Sequence, residues 1–219
     1  FVTGQHGACP HRRCASGDLA EGLLDGVKVK LRLSFAASGV TAEEVSRSEE
    51  DAPAIEITLL LALLKAEQFD AALRFASETG VSKIQLLDCE RSVPANSGAH
   101  LTEKMSRWRR VLDESTKQAG AARAPQLYEP VKPAELNVAS LPQTRLAAMF
   151  SQEALNIRDV KFDGSVAVTI GPEGDWSPDE ARFFLENGFV PITLGRRILR
   201  ASTAVAVACG VLSLTNDAS

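Results

Sequence analysis

From residue 54 onward, short apolar runs alternate with segments whose apolar residues recur at helical spacing, and this alternation limits the fold more than any other feature of the chain. Residues 55–63, 81–87 and 192–194 read as strands, and residues 146–150 and 166–170 are short apolar runs typical of buried parallel strands. Between them, residues 68–79 place Phe69, Ala72, Leu73 and Ala76 on one helical face before Gly80. Residues 100–119 repeat the pattern through Leu101, Met105, Trp108, Val111, Leu112 and Ser115, and Gly120 stops them. A third helix start is spelled out by Ser177 as N-cap, Pro178 at the first position and Glu180 closing a capping box, with the helix running through Phe183, Phe184 and Leu185 to Gly188. Residues 202–214 predict a last, apolar helix. Strand–helix alternation of this kind predicts an α/β domain with a largely parallel sheet over residues 54–219.

Residues 1–53 read differently. Val27, Val29, Leu31 and Leu33 alternate with Lys28, Lys30 and Arg32 after a turn signal at Asp25 and Gly26, which predicts a half-buried strand following a hairpin. A small β-rich domain is expected there, bounded by the acidic stretch Glu49, Glu50 and Asp51 and by Pro53. At 219 residues, 45% hydrophobic and 24% charged, the chain has enough apolar material for a sizeable core and is not generally disordered. No apolar run approaches the roughly 18 residues needed to span a bilayer, so no membrane association is expected. The first fifteen residues contain no apolar stretch and predict no secretory leader, although the sequence opens at Phe1 rather than Met.

A net charge of −4 argues against non-specific coating of nucleic acid. Local basic clusters are nonetheless present, at Lys104, Arg107, Arg109, Arg110, Lys117 and Arg123 and again at Arg196, Arg197 and Arg200. Cys9, Cys14, Cys89 and Cys209 are too scattered for a disulfide framework, and Cys209 reads as a small buried hydrophobe. His6, Cys9, His11 and Cys14 sit in one terminal stretch rather than in two ligand knuckles, so no metal site is expected.

Two segments carry chemistry. In Val168-Thr-Ile-Gly-Pro-Glu-Gly-Asp-Trp176 a strand delivers the chain into a Gly-Pro-Glu-Gly loop followed at once by the capped helix. Ligands of open α/β sheets bind at the carboxyl ends of strands. Gly171 and Gly174 permit close backbone approach to a ligand and Pro172 stiffens the loop; a tight turn with a surface Glu173 is an equal reading. Neither a Gly-Lys-Ser/Thr ending nor a dinucleotide-type glycine pattern is present. In Leu194-Gly-Arg-Arg-Ile-Leu-Arg-Ala-Ser-Thr-Ala204 another strand ends in glycine, and a small-residue helix begins beside Arg200, where unpaired N–H groups suit an anionic or polar ligand. Arg196 and Arg197 read equally as solvated loop charges. Two such loops point to one shared pocket.

These two motifs, in this order and about twenty residues apart, resemble the RsmE family of ribosomal RNA uridine-N3 methyltransferases of the SPOUT superfamily. Upstream, Glu78, Gly80, Arg91 and Ser92 are similar to the family's Glu-x-Gly-Val helix end and Arg-Ser element, and Trp108, Glu114, Gln118, Arg123 and Pro125 to its Trp-led helix. The resemblance covers residues 54–214. Residues 1–53 resemble the end of a PUA-like RNA-binding β domain, with Gly17-Asp18 and Asp25-Gly26 in place.

The resemblance implies methyl transfer from S-adenosylmethionine to uridine N3 in small-subunit ribosomal RNA, by a homodimer whose SPOUT domain ends in a trefoil knot. It implies a cofactor pocket at Met149, Phe150, Gly171, Gly174, Leu194, Gly195, Ile198 and Leu199. Arg123 and Arg200 become candidates for orienting RNA and stabilising charge, and Glu173 for a base or a loop brace. Two positions depart from the family pattern: Asp175 stands where a second glycine is usual, and Ala201-Ser202 where a Thr-Glu pair is usual. A non-catalytic RNA-binding or ribosome-assembly factor retaining the fold is the alternative. The expected location is the cytoplasm for a bacterial protein, and a plastid or mitochondrion for a eukaryotic one.

Overall fold

The computed structural model describes residues 15–24, 27–36, 39–48, 55–94, 99–121 and 123–215. Two units divide the chain: Phe1–Ala52 with Thr116–Arg123, and Pro53–Ser115 with Ala124–Ser219. In the first, β1 (Leu19–Leu24), β2 (Val27–Ala36) and β3 (Gly39–Ser48) form an antiparallel sheet in that order. Leu24 pairs with Val27 across the expected hairpin, and Val29 of β2 is buried. The turn residues Asp25 and Gly26, the acidic Glu49–Asp51 stretch, Pro53 and the His6, Cys9, His11, Cys14 group lie outside the described residues.

The second unit runs β4 (Glu56–Ala62), α1 (Ala66–Glu78), β5 (Val81–Leu87), α2 (Ala99–Ala119), β6 (Gln126–Val131), β7 (Thr144–Ala148), β8 (Leu155–Asn156), β9 (Ser165–Ile170), α3 (Pro178–Glu186), β10 (Val190–Thr193) and α4 (Ala201–Leu214). Its seven strands lie in the order β6-β5-β4-β9-β7-β10-β8 and every pairing is parallel. Strand β9 inserts between β4 and β7, Val168 pairing with Leu59 on one side and Leu146 on the other.

Successive side chains of a strand point to opposite faces, so each buried strand feeds two cores. Ile57, Leu59 and Leu61 of β4 pack with Phe69 and Leu73 of α1, Met105, Trp108 and Leu112 of α2, and Val205, Cys209 and Leu212 of α4. Leu60 and Ala62 face the other way, onto Trp176, Phe184 of α3 and Phe189. Edge-to-face aromatic contacts order that second core, with ring centroids 4.8 Å apart for Trp176–Phe184 and 5.0 Å for Phe184–Phe189. The capping box forms as its residue types dictate: Ser177 Oγ accepts from Glu180 N at 3.4 Å, and Ser177 N donates to Glu180 Oε2 at 2.9 Å. Salt bridges join Lys83 to Glu56 and Arg107 to Asp70.

Cys209 is a buried hydrophobe as expected, its thiol pushed up to about 12 by burial, and burial with the nearby Glu180 and Asp88 carboxylates raises Cys89 likewise. Among the described residues no helix is long and apolar enough to cross a membrane, and no group of His, Cys, Asp or Glu is placed to hold a metal ion.

Candidate active site

Strands β7, β9 and β10 are neighbours and parallel, so their carboxyl ends open at one edge of the sheet. The expected strand at 146–150 stops at Ala148, which leaves Met149 and Phe150 in the loop beyond it. There a cavity of about 500 Å³ is walled by two kinds of element. Strand ends contribute Ala148, Met149 and Phe150, Ile170, Gly171 and Pro172, and Ile192, Thr193, Leu194 and Gly195. Helix starts contribute Lys65 and Gln68 at α1, and Arg200, Ala201 and Ala204 at α4. The volume lies in the roughly 300–1,000 Å³ range of small-ligand sites.

The Gly-Pro-Glu-Gly loop is built around Trp176, which is buried and donates from Nε1 to Ala148 O at 3.0 Å, tying the loop to the end of β7. A Cβ on Gly171 would stand 3.0 Å from the Trp176 ring, and one on Gly174 3.1 Å from Arg91 Cβ. At both glycines the protein's own side chains leave little room for a Cβ. Arg91 donates from Nη1 to Gly174 O at 3.1 Å and to Trp176 O at 3.2 Å, so the Arg-Ser element braces the loop. Ser92 holds that element by closing on the Cys89 backbone, and Glu180 Oε1 accepts from Glu90 N at 2.8 Å.

Asp175 adopts φ +60°, the sole non-glycine in the left-handed region among the described residues. Its Oδ1 accepts from Trp176 N at 2.8 Å, the local bond that makes Asp tolerable where glycine fits best. Glu173 Oε1 accepts from Lys65 N at 3.3 Å, and Lys65 is the uncapped N-cap of α1. This geometry is that of a brace.

The second loop is open. Gly195 has φ +120° with no atom within 4 Å of a would-be Cβ. Thr193 Oγ1 accepts from Gly195 N at 3.3 Å and donates to Gly195 O at 3.1 Å, fixing the turn. Ile198 is 81% exposed and Phe150 73% exposed, both lining the cavity. Helix α4 follows with Arg200 as an extended, uncapped N-cap, and its first backbone bond runs from Ala204 N to Arg200 O. The N–H groups of the preceding turn therefore lack intrahelical partners. Ser202 Oγ donates to Gln68 Oε1 at 2.7 Å and ties the starts of α4 and α1 together.

The cavity thus brings together Met149, Phe150, Gly171, Glu173, Leu194, Gly195, Ile198, Leu199 and Arg200. Gly174 does not line it and packs against Arg91. Arg123 belongs to the other unit and does not line the cavity. Lys65 and Gln68 escaped sequence reasoning, since they sit at a helix start where they carry no motif; Arg91 is named in the Arg-Ser element without a role.

A chamber at the carboxyl ends of parallel strands, flanked by two helix starts, defines a small-ligand-binding α/β protein. Residues 50–213 match the RNA methyltransferase domain family, and the chain belongs to that family. It is similar to ribosomal RNA small subunit methyltransferase E 2 of Borreliella burgdorferi, at 31% identity over 159 residues, 68% of this chain and 62% of the relative. Ribosomal RNA small subunit methyltransferase E of Synechocystis is 27% identical over 186 residues, 82% of this chain and 60% of the relative. The chain therefore spans about three fifths of the length of these curated relatives, at 62% and 60%. Among solved structures, a Legionella pneumophila protein described as a methyltransferase, in complex with the cofactor SAM, superposes with a TM-score of 0.76 at 26% identity over 91% of this chain and 84% of that one. The resemblance read from the motifs agrees with these relatives.

Proposed function

We propose that the chain methylates N3 of a uridine in small-subunit ribosomal RNA with S-adenosylmethionine held in the cavity at the ends of β7, β9 and β10. The observation that carries this reading is the convergence of both glycine loops on one cavity of about 500 Å³. The residues present fit such a cofactor. Met149, Ile170, Ile192, Leu194 and Leu199 offer apolar surface to a flat ring, and main-chain groups at Gly171 and Gly195 offer polar contacts at its edges.

When bound, the cofactor supplies a methyl group already activated on a sulfonium. The chain's own residues have to align the nucleophile and exclude water. Ile198 and Phe150 cover the mouth with apolar surface. Arg200 is the cation assigned to the uracil as N3 loses its proton. Glu173 keeps the loop against the start of α1, and Arg123, outside the cavity, is assigned to the RNA backbone.

The finer architecture follows the same reading: a trefoil knot in the residue 54–219 domain, a partial PUA-like RNA-binding domain over residues 1–53, and a homodimer. The compartment follows the substrate, being the cytoplasm of a bacterium or the plastid or mitochondrion of a eukaryote.

Calorimetric titration with S-adenosylmethionine tests the proposal, with Gly195→Trp as control because a ring at this open position fills the cavity. Saturable binding by the natural chain and none by a folded Gly195→Trp is the expected result. No binding by the folded natural chain overturns the enzyme reading and leaves an RNA-binding factor.

A further inference from the structure

Gln68 and Ser202 form a pair that the cofactor reading does not use. Gln68 lies in the first turn of α1 and lines the cavity, while Ser202 lies in the first turn of α4 and is 5% exposed. The Ser202 hydroxyl donates to Gln68 Oε1 at 2.7 Å. A carboxamide has one accepting and one donating end, and a hydroxyl can engage either; here it engages Oε1, which leaves the donating end for a ligand. With Oε1 engaged, Gln68 is left with the two hydrogens of Nε2, and no described residue accepts from them. Its neighbours on this helix-start wall, Lys65 and Arg200, have side chains that only donate. The partnerless N–H groups at the start of α4 add further donors. Donors thus predominate on this wall, with the Glu173 carboxylate turned onto Lys65 N.

Uracil is the pyrimidine that suits such a wall. Its N3 lies between two carbonyl oxygens, both acceptors, and the charge released when N3 loses its proton spreads onto them. Cytosine presents an amino group in place of O4, and a donor facing a donor leaves both unsatisfied, a mismatch that hydrogen-bonding sites reject strongly. We propose that Gln68, bonded through Oε1 to Ser202, donates from Nε2 to O4 of the target base and so selects uracil over cytosine. In the step it serves, N3 first gives its proton to hydroxide from solvent and its lone pair then forms the N–CH3 bond, while the C–S electron pair stays with the departing thioether. Gln68 is a specificity residue touching the base, and Ser202 is a positioning residue acting through it. This inference rests on the proposed uridine methylation.

The test uses the full chain, S-adenosylmethionine, and transcribed small-subunit ribosomal RNA carrying either uridine or cytidine at the methylated position. Gln68→Glu keeps the shape and removes the donor. It is expected to lower kcat/KM on the uridine RNA on the order of 10²-fold, with calorimetric cofactor affinity held within about threefold. Ser202→Ala is expected to lower kcat about five- to tenfold and to narrow the uridine-to-cytidine ratio, with Ser202→Thr restoring both. Unchanged kinetics in Gln68→Glu overturns the inference, as does an equal loss of cofactor affinity, which would place Gln68 on the cofactor. A natural chain that binds cofactor and methylates RNA keeps the function reading whatever Gln68→Glu does. A natural chain that does neither overturns both.

Discussion

The two glycine-bearing loops at the cavity look alike in sequence, each a glycine directly after a buried strand, yet they owe their shapes to different causes. Around Gly171 and Gly174 the space a side chain would take is already filled, by the Trp176 ring at 3.0 Å and by Arg91 Cβ at 3.1 Å. Hydrogen bonds from Trp176 to Ala148 and from Arg91 to two carbonyls lock that loop from both sides. Around Gly195 nothing lies within 4 Å, and the glycine is required by its backbone angle alone. The first loop is finished by the protein itself. The second leaves room beside it for a ligand. A glycine after a strand therefore marks a site only when the surrounding packing is known.

This contrast yields a graded set of outcomes. Trp176→Ala removes the pillar of the first loop and should destabilise the fold by about 3–5 kcal/mol in denaturant titration, with cofactor affinity falling alongside. Gly171→Ala drives a methyl against the indole and should cost about 1–3 kcal/mol. If its melting temperature equals that of the natural chain, the first loop is not packed as described. Gly195→Ala meets no neighbour, so only the backbone angle is penalised, by about 1 kcal/mol; its effect should appear in calorimetric cofactor affinity more than in thermal stability. A larger stability loss there than at Gly171 would invert the comparison. Asp175→Gly should be the mildest, relieving the left-handed backbone at the loss of the Trp176 N bond, with a net gain of about 0.5 kcal/mol by thermal melting.

Much of this arrangement was legible in the residues. The interior strands β4 and β9 showed themselves as largely apolar runs, and the Ser177 capping box forms with the partners its spacing dictates. The strands that went unread are those at the sheet edges. Strand β6 carries only one fully buried residue, Leu127, and contains Pro130, which an edge tolerates; β8 is two residues long. Edge position removes the burial that makes a strand visible in sequence. At the site, the glycine loops at Gly171 and Gly195 were legible because each follows a strand, while Met149 and Phe150 came only with the family resemblance. Gln68 and Ser202 were not, since 134 positions separate them and only the packing of α1 on α4 brings them together. The same holds for Arg91, whose partners lie 83 and 85 positions away.

The insertion of β9 between β4 and β7 has a consequence for the order of events during synthesis. A nascent chain that has emerged only through β8 has β4 and β7 but not the strand that joins them, so each presents a bare edge of unpaired backbone. Residues 165–170 join β4 to β7, β10 then brings in β8, and the chamber gains its last walls with β10 and α4. Ligand binding is thus postponed until α4 has emerged. A chain cut before β9 would carry adhesive strand edges rather than make a smaller working protein.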